Sequence, residues 1–232
     1  MTMDKPYLIV MLTHNDRTVE NAYEIFEKCR NSRAEYWGAK EKPLPPGQMK
    51  KLYKYMKDCG KKTVLEVVAY TEEEGMQGAE TAAELGCDIL MGTVFSDAVN
   101  KLCKECGIKY MPFVGDVSGW PSILRGSFES MTAQAEEYLA KGAYGIDLLG
   151  YRYTGNAAEL NRKFVSQVNA PVCIAGSVNS YRRLDEIKSI SPAAFTIGSA
   201  FFENRFGRDF CEQINAVCDH IGSSDRREKV KC

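Results

Sequence analysis

Glu84-Leu85-Gly86-Cys87-Asp88-Ile89-Leu90-Met91-Gly92-Thr93 carries the pattern that decides the fold. A helical segment stops on a glycine and an apolar run follows at once. Glycine after a helix closes the last turn in the left-handed conformation, because it has no Cβ to clash. The same beat recurs in Asp58-Cys59-Gly60 before residues 63–68, Glu105-Cys106-Gly107 before residues 108–111, and Ala140-Lys141-Gly142 before residues 143–146. A short apolar run directly after such a stop reads as a strand covered on both faces, as in a parallel sheet. Helix starts agree: Thr71-Glu-Glu-Glu74 is a capping box, and Ser96 and Ser180 stand where N-caps belong.

Working outward from these stops, the sequence predicts strands near residues 7–13, 34–40, 63–70, 87–93, 108–114, 144–150, 171–176 and 194–199. Helices are predicted near 18–30, 46–59, 72–85, 96–106, 127–141, 156–168, 180–190 and 207–221. Strict alternation implies right-handed crossovers and parallel strands. Eight units with nothing left over suit a closed (β/α)8 TIM barrel, and no Gly-x-Gly-x-x-Gly follows the first strand as an open dinucleotide-binding sheet would require. The expected organisation is one barrel over residues 1–221, with a charged tail at 222–232 that frays.

Composition bounds the function. The chain has 232 residues, 30 basic and 31 acidic side chains, and a formal charge of −1. That balance argues against nucleic acid or an anionic membrane as partner. The N-terminus leads into too short an apolar run for a signal peptide or a membrane span. Nine cysteines are an odd number at irregular spacing, which does not fit a secreted disulfide framework. Cys103-Lys-Glu-Cys106 lacks a second pair or a nearby histidine and reads as two reduced thiols on one helix. With only His14 and His220, a histidine-rich metal site cannot be built. A reducing cytoplasm is the expected setting.

In this fold the loops after the strands build the site, and those after the seventh and eighth commonly hold a phosphate. Here they read Ile174-Ala-Gly-Ser-Val178 and Thr196-Ile-Gly-Ser-Ala-Phe201. Gly176 and Gly198 let backbone N–H groups approach an anion, Ser177 and Ser199 add hydroxyl donors, and a following helix N-terminus adds its dipole. In these two motifs the chain resembles the ribulose-phosphate-binding barrel superfamily, a group of phosphosugar isomerases, epimerases and lyases. The resemblance covers the whole chain in element order and implies that Gly176, Ser177, Gly198 and Ser199 bind a substrate phosphate.

Charges near strand ends mark candidate chemistry, since a buried parallel strand should be apolar. Asp147 follows Gly145-Ile146 close to the expected mouth. It reads either as a general base beside a carbonyl or as a structural carboxylate paired with Lys40 or Arg152. Lys40 could stabilise an enolate, bind an acid group or form a Schiff base, or stand as a solvated loop lysine. Glu66 interrupts Val64-Leu65-Glu66-Val67-Val68 and must either point into the barrel or pair with a lysine such as Lys40. Asp116 follows the fifth strand as a possible partner acid, and His14 could shuttle a proton or cap a helix. The long segment from Asp116 to Ser127, with glycines around Trp120 and Arg125, could close over substrate, and Arg125 and Arg152 are placed to line the mouth.

The leading expectation is a cytoplasmic isomerase or epimerase of a small phosphorylated sugar. Asp147 would be its base, Glu66 or Asp116 the partner acid, and Lys40 the oxyanion stabiliser. A decarboxylase or aldolase working through the same enediolate is the nearer alternative, a non-catalytic phospho-ligand barrel the more distant one. No cofactor is required, though Glu66, Asp116 and Asp147 could hold Mg²⁺ through waters. Phe201-Phe202, read as an exposed aromatic stretch, suggests a homodimer.

Overall fold

All eight apolar runs form parallel strands of one sheet in the structure, a computed structural model that describes residues 5–223. In chain order β1 is Tyr7–Met11, and a hairpin of β2 (Thr13–His14) and β3 (Arg17–Thr18) follows it. Then come β4 (Tyr36–Lys40), β5 (Lys62–Ala69), β6 (Ile89–Thr93) and β7 (Lys109–Met111). A second hairpin, β8 (Asp116–Ser118) and β9 (Ile123–Arg125), precedes β10 (Ile146–Leu148), β11 (Val172–Ile174) and β12 (Ala194–Ile197). The large sheet runs β10-β11-β12-β1-β4-β5-β6-β7. It closes on itself where Asp147 N donates to Pro112 O at 3.0 Å, Tyr144 N donates to Tyr110 O at 2.9 Å, and Phe113 pairs in parallel with Asp147. The chain is a (β/α)8 barrel.

Between the strands run α1 (Ala22–Cys29), α2 (Pro46–Asp58), α3 (Glu72–Leu85), α4 (Asp97–Glu105), α5 (Phe128–Ala140), α6 (Ala157–Gln167) and α7 (Tyr181–Ile190). A short α8 (Ser199–Phe202) precedes α9 (Phe210–Gly222). The four glycine stops all have positive φ, from 62° at Gly86 to 89° at Gly142. Thr71 accepts from Glu74 N at 3.3 Å, while the Glu74 carboxylate accepts from Tyr70 N at 3.2 Å, one residue before the expected partner. Ser96 and Ser180 cap α4 and α7 as expected. Among the described residues no helix is long and apolar enough to cross a membrane. Beyond Ser223 the charged tail lies outside the described residues.

Three features differ from the sequence expectations. The segment read as a loop, able to close over substrate or to stand rigid, is instead an antiparallel hairpin, β8–β9, docked on the barrel: Tyr70 Oη donates to Gly119 O at 3.1 Å and contacts Ser122 Oγ at 2.8 Å. Phe201 and Phe202 do not form an exposed aromatic stretch. Phe201 is fully buried and Phe202 packs edge-on against Phe210 of α9, so their apolar surface is satisfied within the chain. Cys29 at the end of α1 and Cys211 in the first turn of α9 are bonded to each other across 182 residues, whereas Cys103 and Cys106 are free thiols as expected.

The Cys29–Cys211 bond ties the first barrel helix to the last. Closing so long a loop restricts the unfolded chain, and losing it is expected to lower stability by about 2–5 kcal/mol. In denaturant the untreated protein should show two fewer titratable thiols than the reduced protein, and Cys211→Ser should melt at lower temperature. Equal thiol counts before and after reduction would disprove the bond.

Candidate active site

Inward-facing residues alternate along each strand, so Met11, Lys40, Glu66, Leu149 and Thr196 come together at the C-terminal ends of five strands or the turns after them. They line a cavity of about 500 Å³ at the barrel mouth. Lys40 ends β4 with its side chain only 6% exposed. Its backbone is fixed on both sides by Thr18 of β3, which accepts from Lys40 N at 2.9 Å and donates to Lys40 O at 2.8 Å. Tyr53 of α2, wholly buried, reaches between β4 and β5 to donate to Val64 O at 2.8 Å and accept from Ala39 N at 3.2 Å.

The Lys40 ammonium lies 3.0 Å from Asp16 Oδ1 and 3.5 Å from Glu66 Oε1, and Arg152 Nη2 donates to the same Asp16 oxygen at 2.9 Å. Burial works against the Lys40 charge, but Glu66 and Asp16 outweigh it and raise its pKa above the usual lysine value. Lys40 is therefore a fixed cation at neutral pH, suited to stabilising an oxyanion and unsuited to attack as a free amine. Burial likewise works against the Asp16 carboxylate. The Arg152 hydrogen bond and the charges of Lys40 and Arg152 prevail, so its pKa lies below the ordinary value. Trp120, 63% exposed at the tip of the β8–β9 hairpin, stands over the same ammonium with its ring centroid 5.6 Å away.

Asp16 was not a sequence candidate. It is delivered by a two-residue turn in which Asn15 and Asp16 have φ of 50° and 60°, between the paired Thr13 and Thr18. Asn and Asp tolerate that conformation best after glycine, and a two-residue loop with both φ positive is the preferred hairpin connection. The signal was present in Thr13-His-Asn-Asp-Arg-Thr18, although without the Asn-Gly or Asp-Gly pair that announces it most strongly.

The phosphate expectations converge. Gly176, Ser177, Gly198 and Ser199 all line the cavity. Gly176 has φ 78°, and a Cβ there would sit 2.9 Å from Cγ of Arg152, whose stem crosses the turn. Gly198 is required for space: a Cβ would meet Thr13 Oγ1 at 2.5 Å. Ser199 Oγ accepts from Asn15 N at 3.1 Å, which leaves its own proton free to donate. Arg183, unforeseen from sequence, braces the first turn by donating to Ser177 O and to Asn179 Oδ1.

The remaining candidates separate. Lys40, Glu66 and Arg152 line the cavity, whereas Asp116, Arg125 and His14 do not. Asp116 is exposed on β8, Arg125 turns back to donate to Ser118 Oγ at 3.0 Å, and His14 stacks on Phe202 with ring centroids 5.5 Å apart. Asp147 lies a layer too deep for the base role. It faces inward from β10 two residues before the lining residue Leu149, is 0% exposed, and neither carboxyl oxygen has a hydrogen-bond partner. It pairs with neither Lys40 nor Arg152. Burial, then the Glu66 charge, raises its pKa well above the ordinary value and favours the protonated form. With Asp116 on the hairpin and Asp147 below the floor, the three carboxylates considered for Mg²⁺ do not converge. Among the described residues no group of three or more His, Cys, Asp or Glu side chains could hold a metal ion.

No family model matches the chain, and no curated protein matches it in sequence. Solved structures do match over its length. Orotidine 5′-phosphate decarboxylase from Lactobacillus acidophilus gives a TM-score of 0.66 at 14% identity, over 95% of this chain and 100% of that one. A 4-hydroxy-2-oxoglutarate/2-dehydro-3-deoxyphosphogluconate aldolase gives 0.66 at 14% identity, over 92% and 94%. N-acetylmannosamine-6-phosphate 2-epimerase from Clostridium perfringens gives 0.62 at 14% identity, over 85% and 88%. The likeness is one of fold: the chain shares the (β/α)8 barrel of these structures.

Asp147 yields a signed stability expectation. Its folded pKa is raised above the ordinary 3.8, so its favourable contribution is complete below that pH and is lost as pH rises toward the folded pKa. Asp147→Asn is expected to melt higher than the wild type at pH 7, with the difference vanishing below about pH 4. A variant less stable than wild type at neutral pH would show that the carboxylate is ionised and paired.

Proposed function

We propose that the chain is an enzyme that moves a proton next to a carbonyl in a small phosphorylated sugar, as an isomerase or epimerase. One observation carries this reading: a single cavity brings together the Lys40–Glu66 cation–carboxylate pair, 3.5 Å apart, and the two Gly-Ser turns. The turns at Gly176-Ser177 and Gly198-Ser199 hold the phosphate through backbone N–H groups and the Ser199 hydroxyl.

With the phosphate fixed there, the carbonyl end reaches Lys40 and Glu66. The Glu66 carboxylate takes the proton from the carbon beside the carbonyl. The C–H electron pair becomes the new C–C double bond, and the carbonyl π pair moves onto oxygen. The resulting enediolate oxygen accepts a hydrogen bond from the Lys40 ammonium, a charge already fixed in place and so needing little reorganisation. For an isomerisation Glu66 returns the proton to the neighbouring carbon while the hydroxyl proton on the first carbon passes to the enediolate oxygen; an epimerisation needs the proton returned to the same carbon from the opposite face, by an acid other than Glu66.

A carbon–carbon lyase would pass through the same enediolate and differ only in the bond broken to reach it. A barrel that merely binds phosphorylated ligands would have no need to desolvate the Glu66 carboxylate on its cavity wall.

A panel of sugar phosphates and inorganic phosphate is expected to raise the melting temperature by mass action, by the equivalent of about 2.7 kcal/mol at one hundred times Kd. Absence of any shift across the panel would sink the phosphate reading. Once a turned-over substrate is found, Glu66→Gln should slow it by about a hundredfold to ten-thousandfold with phosphate binding retained. Undiminished exchange of the substrate C–H with deuterium in that variant would remove Glu66 from the base role.

A further inference from the structure

The mouth of the barrel is electrically balanced before any ligand arrives. Lys40 and Arg152 are the cations among the described residues that line the cavity, and both donate to one oxygen of Asp16, at 3.0 and 2.9 Å. Lys40 is shared in addition with Glu66 at 3.5 Å. Two positive charges thus meet two negative ones at the reacting end. Glu203, the other acid on the lining, is paired with Arg205 at 3.0 Å. The two turns, at Gly176-Ser177 and Gly198-Ser199, add only neutral donors to the lining.

Asp16 is held so that it cannot easily vacate this position. On one side Asn15 N donates to Ser199 Oγ at 3.1 Å, and on the other Thr18 is bonded twice to the Lys40 backbone, at 2.9 and 2.8 Å. The turn between these anchors is two residues long. A carboxylate on the reacting end of a ligand would therefore be a third negative charge against two cations, inside a part-buried site where water screens poorly. A carbonyl or hydroxyl there would face no such repulsion and could still accept a hydrogen bond from Lys40.

We propose that Asp16 is a specificity-determining residue: it reserves the site for substrates whose phosphate is their sole anion and whose reacting end is an uncharged carbonyl, and it turns away phosphorylated acids. This rests on the proposed function and narrows it, favouring aldose and ketose phosphates over the phosphorylated keto or hydroxy acids that a decarboxylase or keto-acid aldolase would use. Asp16 acts through charge and need not touch the reacting atoms.

The test uses the full chain and three probes in calorimetric titration: inorganic phosphate, fructose 6-phosphate, and 6-phosphogluconate, which has the same carbon count but ends in a carboxylate. Wild type is expected to bind the sugar phosphate about tenfold or more tightly than the acid, the scale of one like-charge contact. Asp16→Asn keeps a residue that tolerates the left-handed turn, so the fold should persist, checked by its melting curve. It should shift the ratio about tenfold toward the acid while leaving inorganic phosphate binding within about twofold. Glu203→Gln, which neutralises an acid at the rim, should leave the ratio unchanged. Wild-type binding of the acid as tight as the sugar, an unmoved ratio in Asp16→Asn, or an equal effect of Glu203→Gln would each overturn the assignment. Binding of phosphate without discrimination removes the selection by Asp16 alone. Failure of all three probes to bind removes the phosphate cradle, and the selection with it.

Discussion

A lysine ammonium 6% exposed at the end of a barrel strand is the constraint on which the mouth depends. An unpaired charge so placed would cost several kcal/mol or lose its proton, and breaking such a pair is more damaging than never having built it. Lys40 retains its charge because two carboxylates reach it from different directions. Glu66 comes from the neighbouring strand, at the register position directly opposite Lys40. Asp16 comes from outside the sheet, on the β2–β3 hairpin. That hairpin, scarcely more than a turn, is in turn fixed by Thr18 on the Lys40 backbone and by Asn15 on Ser199. The cations of the mouth and the two Gly-Ser turns consequently share one small scaffold, so a change at Gly198, packed against Thr13, would be felt at Asp16 as well.

The barrel itself was legible because its signals are local. A glycine that must adopt positive φ, a serine or threonine that must cap, and an apolar run of strand length each declare themselves within a few residues, and seven of the eight strands fall within the expected ranges, β5 starting one residue early. The Gly-Ser turns were legible for the same reason. What the pattern could not supply was depth and direction. Asp147 and Glu66 both interrupt apolar strands; the sequence puts Asp147 close to the mouth and leaves Glu66 either inside the barrel or paired with a lysine. Only the stagger of the strands separates them, putting Glu66 on the cavity wall and Asp147 beneath its floor. The bond between Cys29 and Cys211 was invisible for a related reason. It joins helices that meet only because the barrel closes, and no spacing rule relates residues so far apart.

The β8–β9 hairpin shows a different limit. Its glycines and its aromatic tip read as a mobile cover, because glycine-rich loops permit motion as readily as they permit tight turns. The difference lies in tertiary hydrogen bonds that composition does not encode. Tyr70 holds Gly119 and Ser122, Tyr153 Oη donates to Gly126 O at 2.9 Å, and Leu124 pairs with Tyr153 as an isolated bridge. Pinned at three points, the hairpin holds Trp120 over Lys40 while leaving most of the indole in water. Arg125, expected to line the mouth, is spent on the hairpin itself, bonded to Ser118. Arg152, emerging from the 3₁₀ turn after β10, faces the cavity in its stead.

Asp147 completes the charge argument from below. Were it ionised, three carboxylates would surround two cations, and the Lys40 ammonium would be drawn toward a floor that offers no other donor, since both Asp147 oxygens lack partners. Its neighbour across the ladder, Cys173, is also wholly buried, and burial raises its thiol pKa, with the Asp147 charge the next contribution. The floor is therefore most stable with both groups protonated and neutral. A neutral floor leaves the Lys40 field directed upward, toward Asp16 and Glu66. The buried acid thus contributes by withholding its charge from the ion pairs above it.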